Sequence, residues 1–291
     1  MATILLVGCG DIGSHLGLTL ARQGHRCIGL KRQIAGLPAA IEGVAGDVTR
    51  PETLSGLPRD VDYLVYSVAA PRFDADCYRA VYVQGLGNVL QALQGRQTAP
   101  RRCFFVSSSA VYHQRDGEWV DETSPTRPTS FSGQAMLEAE RLLEEAPLAT
   151  TAVRLSGIYG PGRRRLLEWV KAGVACAAEP VLYSNRIHRD DAVGILDFLI
   201  RRDLDGQEVA GLYLASDPHP SPYHEVLEWL RQALALPLPA PERYEDFSQR
   251  LRTGSKRCDS SRLQASGYRF IYPSYREGFA DLIAEERAAG G

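Results

Sequence analysis

Apolar and polar positions switch between two periods along the first half of the chain. Thr3–Val7 (TILLV) is an unbroken apolar run, the pattern of a strand covered on both faces. Ile12–Gln23 then places Ile12, Leu16 and Leu20 at helical spacing, and Gly24 is a stop. Arg26–Leu30 predicts a second short strand, Val61–Val68 (VDYLVYSV) a third, and Cys103–Val106 with its flanks a fourth. Between them Ala75–Gln94 repeats Tyr78, Val81, Leu86, Val89, Leu90 and Leu93 on a helical period. Ala135–Glu144, rich in Ala, Leu and Glu, predicts a further helix, and Thr151–Leu155 (TAVRL) a further strand. Strands alternating with helices predict right-handed βαβ units, that is, an α/β doubly wound parallel sheet of the Rossmann type.

Beyond Gly160-Pro161-Gly162 the pattern loosens. Asp217–Pro222 and Leu236–Pro241 read as Pro-rich connectors, while Asp190–Arg201 and Tyr223–Leu234 remain helical. The expected organisation is a dinucleotide-binding domain over 1–157, with return elements near 185–203, and a smaller mixed domain over 158–291 for a substrate or partner. A length of 291 residues suits two domains. With 44% hydrophobic and 23% charged residues the chain has globular composition. Its 33 basic and 35 acidic residues leave a net charge of −2, which removes the global electrostatic case for a nucleic-acid partner. No apolar run reaches the about 18–20 residues of a membrane span, and the N-terminus lacks the basic and apolar regions of a secretory signal. No membrane association and a cytoplasmic location are therefore expected. The six cysteines form no CxxC pair and read as reduced thiols, and neither they nor the six histidines cluster at metal-ligand spacing.

Candidate chemistry begins at Gly8-Cys9-Gly10-Asp11-Ile12-Gly13. A G-x-G-x-x-G is weak alone, but here it follows a predicted strand and opens a predicted helix. Gly8 would permit the tight turn, Gly10 the close approach of a pyrophosphate, and Gly13 the packing of helix on strand, with the amides around Asp11 and Ile12 facing the phosphates. The second strand ends in Leu30-Lys31-Arg32, with no acid until Glu42. An acid there would bind a ribose 2′-hydroxyl, whereas two cations suit a 2′-phosphate, so NADP(H) is expected ahead of NAD(H).

Further segments follow in order: Gly46-Asp47-Val48, Asp62–Ala70 (DYLVYSVAA), Phe105–Tyr112 (FVSSSAVY), Arg154–Gly162 (RLSGIYGPG) and Asn185–Ala192 (NRIHRDDA). Together they resemble the extended short-chain dehydrogenase/reductases, the NAD-dependent epimerase/dehydratase family, over nearly the whole chain. The resemblance implies that Asp47 contacts the adenine with Val48 beside it, and that the strand ending in Ala69 and Ala70 passes beneath the cofactor. It also implies a catalytic hydroxyl at Ser108, with Ser107 next to the cofactor. Family members often pair two long helices into a dimer bundle, which implies a homodimer through Ala75–Gln94 and Ala135–Glu144.

Two departures stand out. The glycine spacing is tighter than the G-x-x-G-x-x-G usual in extended members. More consequentially, the family uses a Tyr as general acid/base, with a Lys one helical turn later that lowers the phenol's pKa from about 10 towards neutrality. Aligning Met136-Leu137-Glu138-Ala139-Glu140 with the family's K-L-x-A-E puts Met136 at the Lys position and Ser132 at the Tyr position. The chain's three lysines, Lys31, Lys171 and Lys256, are preceded four residues earlier by Cys27, Leu167 and Arg252, so no Tyr-x-x-x-Lys exists. Ser108, Ser132 and His113 are the remaining candidates for proton handling or substrate positioning. His113 reads more simply as a loop histidine, and Ser107–Ser109 read equally as strand-end serines that satisfy backbone groups. Asp190 and Asp191 suit a helix N-terminus. Arg163-Arg164-Arg165 reads equally as a diphosphate clamp or as a solvated run. A serine hydrolase is excluded by the lack of a G-x-S-x-G elbow. A 4,6-dehydratase is disfavoured because Ser109-Ala110 stands where an acidic pair belongs. Two functions remain: an NADP(H)-dependent oxidoreductase or epimerase acting on a carbonyl or sugar-nucleotide substrate with a non-standard acid/base, or an NADP(H)-binding sensor or regulator without turnover.

Overall fold

The computed structural model describes residues 1–94, 99–239 and 254–289. The chain divides into two compact units: Met1–Val111, Thr126–Arg154 and Val193–Tyr213 form the first, and Tyr112–Pro125, Leu155–Ala192 and Leu214–Gly291 the second.

The first unit is organised on a seven-stranded sheet. β1 (Thr3–Val7), β2 (Arg26–Lys31), β3 (Glu42–Ala45), β4 (Tyr63–Tyr66), β5 (Arg102–Ser108), β7 (Ala149–Leu155) and β11 (Leu212–Ala215) lie in the order β11-β7-β5-β4-β1-β2-β3. The pairings β2/β3, β1/β2, β1/β4 and β4/β5 are all parallel. The chain therefore winds outward in one direction through β2 and β3 and in the other from β4, which makes the β1/β4 boundary the topological switch point. β4 is buried along its whole length, in keeping with a strand covered on both faces. Helix α1 (Asp11–Arg22) buries Ile12, Leu16 and Leu20, the stripe predicted for it.

β3 was not predicted from the pattern. It is an edge strand with three of its four residues exposed, so it shows no apolar alternation, and its place comes from its register with β2. The predicted helix Ala75–Gln94 is instead three segments: α2 (Ala75–Tyr78), a π-helical stretch Arg79–Gln84, and α3 (Gly85–Leu93). The buried Tyr66 hydroxyl donates to the Val81 carbonyl at 2.5 Å, which takes that carbonyl out of the regular ladder. Helix α4 (Phe131–Glu144) starts one turn earlier than predicted, because Ser130 caps it by accepting from the Gly133 amide at 3.2 Å.

The second unit carries three two-stranded pieces: β8 (Gly157–Tyr159) with β10 (Arg186–His188), β9 (Tyr183–Ser184) with β12 (Ser221–Pro222), and β6 (Glu118–Val120) with β13 (Lys256–Cys258). Helices α5 (Arg165–Lys171), α7 (Tyr223–Ala233) and Tyr275–Ala289 enclose a core that includes Tyr159, Leu167, Leu230 and Phe279. The predicted connector Leu236–Pro241 ends outside the described residues. All six cysteines are buried and unpaired. Among the described residues no helix is long and apolar enough to cross a membrane.

Candidate dinucleotide-binding site

The turn after β1 is constrained at two of its three glycines and open at the third. Gly8 has φ +96°, and a Cβ there would lie 2.6 Å from the Val68 amide nitrogen. A Cβ on Gly13 would meet the Gly8 carbonyl oxygen at 2.2 Å, so only glycine lets α1 approach the strand this closely. Around Gly10 nothing lies within 4 Å of a Cβ position. Gly10 is also the N-cap of α1 and supplies no side-chain cap, which leaves the first-turn amides to an anion. The intervening Cys9 is buried against Gly29, and burial pushes its thiol up to about 11, so it stays protonated.

From this turn opens a cleft of about 890 Å³ lined by four further segments: Leu30–Gln33, Gly46–Thr49, Val68–Arg72 except Ala70, and the helical stretch from Asp76 to Val81. Lys31 and Arg32 stand at its edge where β2 ends, and neither side chain makes a hydrogen bond or ion pair with a described residue. Glu42, the first acid after them, is held by Arg26 at 2.8 Å. Asp47 accepts from the Thr49 amide at 3.0 Å and the Thr49 hydroxyl at 2.8 Å. Partial burial raises its carboxyl, but these bonds and the charges of Arg32 and Arg50 outweigh that and hold it below its ordinary value. Val48 is buried, and its carbonyl is fixed by the Asn88 side chain at 2.8 Å. Ala69 is exposed in the cleft, while the Ala70 amide donates to the Tyr82 hydroxyl at 3.2 Å and Ala70 lies outside the lining. Burial raises Tyr82, so its phenol is neutral. The cleft thus assembles Gly8, Gly10, Lys31, Arg32, Asp47, Val48 and Ala69, while Asp11, Ile12 and Gly13, in the first turn of α1, lie outside its lining. Segments in this donor set fit a dinucleotide: open glycine backbone, uncapped helix amides and uncommitted cations.

The serines at the end of β5 divide differently. Ser107 is buried and donates to Glu140 at 2.5 Å, and Glu140 in turn is held by the Arg154 guanidinium at 2.6–3.2 Å. Ser107 therefore belongs to a buried ion-pair network and is not in the cleft lining. Ser108 is half-buried and its oxygen accepts from the Ala110 amide at 3.1 Å, while its own proton is donated to no described residue. On α4 Ser132 is half-buried near Ser130, and Met136, one turn on, is buried. In the first unit Phe73, Tyr78 and Phe131 form an aromatic cluster with centroids 4.8–5.5 Å apart.

The second-unit candidates have structural partners. Asp191 does not spend its oxygens on its own helix, α6 (Arg189–Leu204): it accepts from the Tyr268 hydroxyl and from the Ile271 and Tyr272 amides at 2.8–2.9 Å, stapling that loop. His188 Nδ1 accepts from the Asp190 amide, and its ring packs on Tyr272 with centroids 3.9 Å apart. Arg164 is paired with Glu285 and Glu286, and Arg165 lies 4.2 Å over the Trp169 ring, so both are engaged within the protein. His113 is half-buried. The signal that could have revealed the Ser107–Glu140–Arg154 network is the pair of charged residues at otherwise apolar positions of α4 and β7.

Residues 4–207 match the model of the NAD dependent epimerase/dehydratase family. A structure described as an NAD-dependent epimerase/dehydratase from Methylobacillus flagellatus is 38% identical, with a TM-score of 0.82, over 98% of this chain and 99% of that one. Protein YeeZ of Escherichia coli K12 is 26% identical over 286 residues, 94% of this chain and 97% of its own length. The Bordetella bronchiseptica enzyme WbmG, solved with NAD and UDP, shares the fold at 21% identity and a TM-score of 0.75, over 99% of this chain and 95% of that one.

Proposed function

This chain belongs to the NAD dependent epimerase/dehydratase family, and on that premise we propose that it binds NADP(H) ahead of NAD(H) and carries out oxidation, reduction or epimerisation of a carbonyl or sugar-nucleotide substrate with an acid/base other than Tyr–Lys. The observation that carries the cofactor preference is the uncommitted pair Lys31 and Arg32 at the end of β2, with Glu42 engaged by Arg26. Two free cations fit a 2′-phosphate, and a planar guanidinium fits it bidentately. The α1 amides at Asp11 and Ile12 and the open Gly10 take the pyrophosphate. Asp47 and Val48 meet the adenine end, and Ala69 and Ala70 close the floor. The nicotinamide, when bound, supplies or accepts hydride. Ser108 is the proposed substrate contact, because it retains a hydroxyl proton to donate to a substrate oxygen. WbmG, of the same fold, supports the sugar-nucleotide class through its bound UDP.

A second reading, dinucleotide binding without turnover, is favoured by one feature: Met136 is buried, one turn from Ser132, and neither residue provides a proton-relay cation. Fluorescence titration with NADPH and NADH, followed by a panel of carbonyl and sugar-nucleotide substrates, separates the two. Tighter NADPH binding with substrate-dependent oxidation, abolished in Ser108→Ala, supports the first reading. Binding without any turnover supports the second, and equal affinity for the two cofactors removes the 2′-phosphate assignment.

A further inference from the structure

The second unit carries a small cavity of its own at the end of the β6/β13 pair. It measures about 190 Å³ and is lined by Trp119, Pro218, Cys258, Asp259, Ser260 and Gln264. A single enclosed water takes about 10–15 Å³ on this scale, so there is room for one small ring. Trp119 is 55% exposed. The Arg257 guanidinium lies 4.9 Å from its ring centroid and 4.8 Å from that of Tyr183, and its Nε donates to the Gly117 carbonyl at 2.7 Å. A cation therefore covers one face of the indole, and the rest of the ring is an open apolar wall. The polar groups of the lining are only partly used. Asp259 Oδ1 accepts from the Ser261 amide at 2.8 Å, and Gln264 Nε2 donates to the Ser260 hydroxyl oxygen at 3.3 Å. Asp259 Oδ2, Gln264 Oε1, the Ser260 hydroxyl proton and the Trp119 indole N–H have no partner among the described residues. The two oxygens remain reachable from solvent. Burial pushes the Cys258 thiol up to about 12, which makes it a neutral part of the floor, and Arg262 is turned away to Glu122 at 3.6 Å.

We propose that this cavity binds a neutral pyranose, with the apolar ring face against Trp119 and the hydroxyls on Asp259, Ser260 and Gln264. An aromatic wall beside a few uncommitted polar atoms suits a ligand that is apolar on one face and hydroxylated at its edge. Each sugar hydroxyl both donates and accepts, which matches acceptor oxygens at Asp259 and Gln264 and donors at Ser260 and Trp119. Charge narrows the class from both sides. Asp259 is the one charged side chain of the lining, so a phosphate or carboxylate meets repulsion and no cation. Arg257, already over the indole, opposes a cationic ligand on the same ring. A wholly apolar ring would displace water from Asp259 and Gln264 without replacing its hydrogen bonds. A neutral, hydroxylated ring satisfies all three conditions.

The site consists of second-unit residues and does not rest on the dinucleotide reading. It is tested by calorimetric and tryptophan-fluorescence titration of the full chain, without dinucleotide, with D-glucose, D-galactose and D-mannose. Glucose 6-phosphate and glucosamine serve as charged counterparts, and glycerol as the acyclic control. Saturable binding of at least one neutral hexose is expected, with a Kd on the order of 1 mM. Both charged counterparts and glycerol are expected to bind more weakly. Trp119→Ala is expected to weaken hexose binding about tenfold, and Gln264→Ala about threefold to tenfold. Because Gln264 lies on a separate element, its variant decides the matter should the tryptophan variant fail to fold. Asp259→Asn is expected to narrow the gap between the neutral hexose and glucose 6-phosphate. No saturable hexose binding by the wild type, tighter binding of a charged counterpart or of glycerol, or undiminished binding by either folded variant overturns the proposal. An NADPH titration of the same variants keeps failure here distinct from failure of the cofactor assignment.

Discussion

Two strand ends of the same sheet carry small polar or glycine-rich motifs, and they use them in opposite ways. At the end of β1, Gly8 and Gly13 pack backbone against backbone while Gly10 and the first amides of α1 are left open. At the end of β5, the Ser107 hydroxyl donates a hydrogen bond to Glu140, which is locked to Arg154. The Ser108 hydroxyl donates to no described residue. Both motifs look like ligand contacts in sequence. The difference is whether the surrounding protein satisfies the donors: an unfilled donor set is available to a ligand, and a filled one holds the fold together.

Substitutions can break that comparison, beginning with the largest effect. Glu140→Gln leaves the buried Arg154 guanidinium without its counter-charge and is expected to cost about 3–5 kcal/mol in urea unfolding. A loss under about 1 kcal/mol would mean that the β5 end is not a structural network. Gly13→Ala drives a Cβ to 2.2 Å from the Gly8 carbonyl and is expected to cost about 1–3 kcal/mol and to abolish NADPH binding. Its partner Gly10→Ala meets nothing within 4 Å, so its stability should stay within about 0.5 kcal/mol while NADPH affinity falls. Equal thermal shifts for these two glycine variants would contradict the division between packed and open positions.

A smaller and more selective effect is expected from the double substitution Lys31→Ala/Arg32→Ala. NADPH affinity should drop about 10- to 100-fold, as charge-assisted phosphate contacts are lost, with NADH affinity unchanged. A parallel loss for both cofactors in fluorescence titration would assign these cations to the pyrophosphate or to general attraction. Smallest of all, Ser107→Ala removes one hydrogen bond and should cost about 1 kcal/mol without altering NADPH affinity. A change in affinity would place Ser107 in the cofactor site after all.

What the sequence determined by itself was whatever is local or periodic. β1, α1 and β2 follow from TILLV, the Ile12–Leu16–Leu20 stripe and the apolar run after Arg26, because burial of one face is written in residue spacing. The glycine turn and the adjacent Lys31 and Arg32 were legible for the same reason, since strand, turn and helix are contiguous. Only the tertiary structure decided what depends on partners distant in the chain. β3 exists through its pairing with β2, and the π-helical stretch forms where Tyr66 reaches Val81. Ser107 is consumed by Glu140 and Arg154, and Asp191 staples residues 268–272 in place of capping its own helix. Spacing along a chain encodes which face is buried, whereas satisfaction of a buried polar group depends on atoms brought together from far apart.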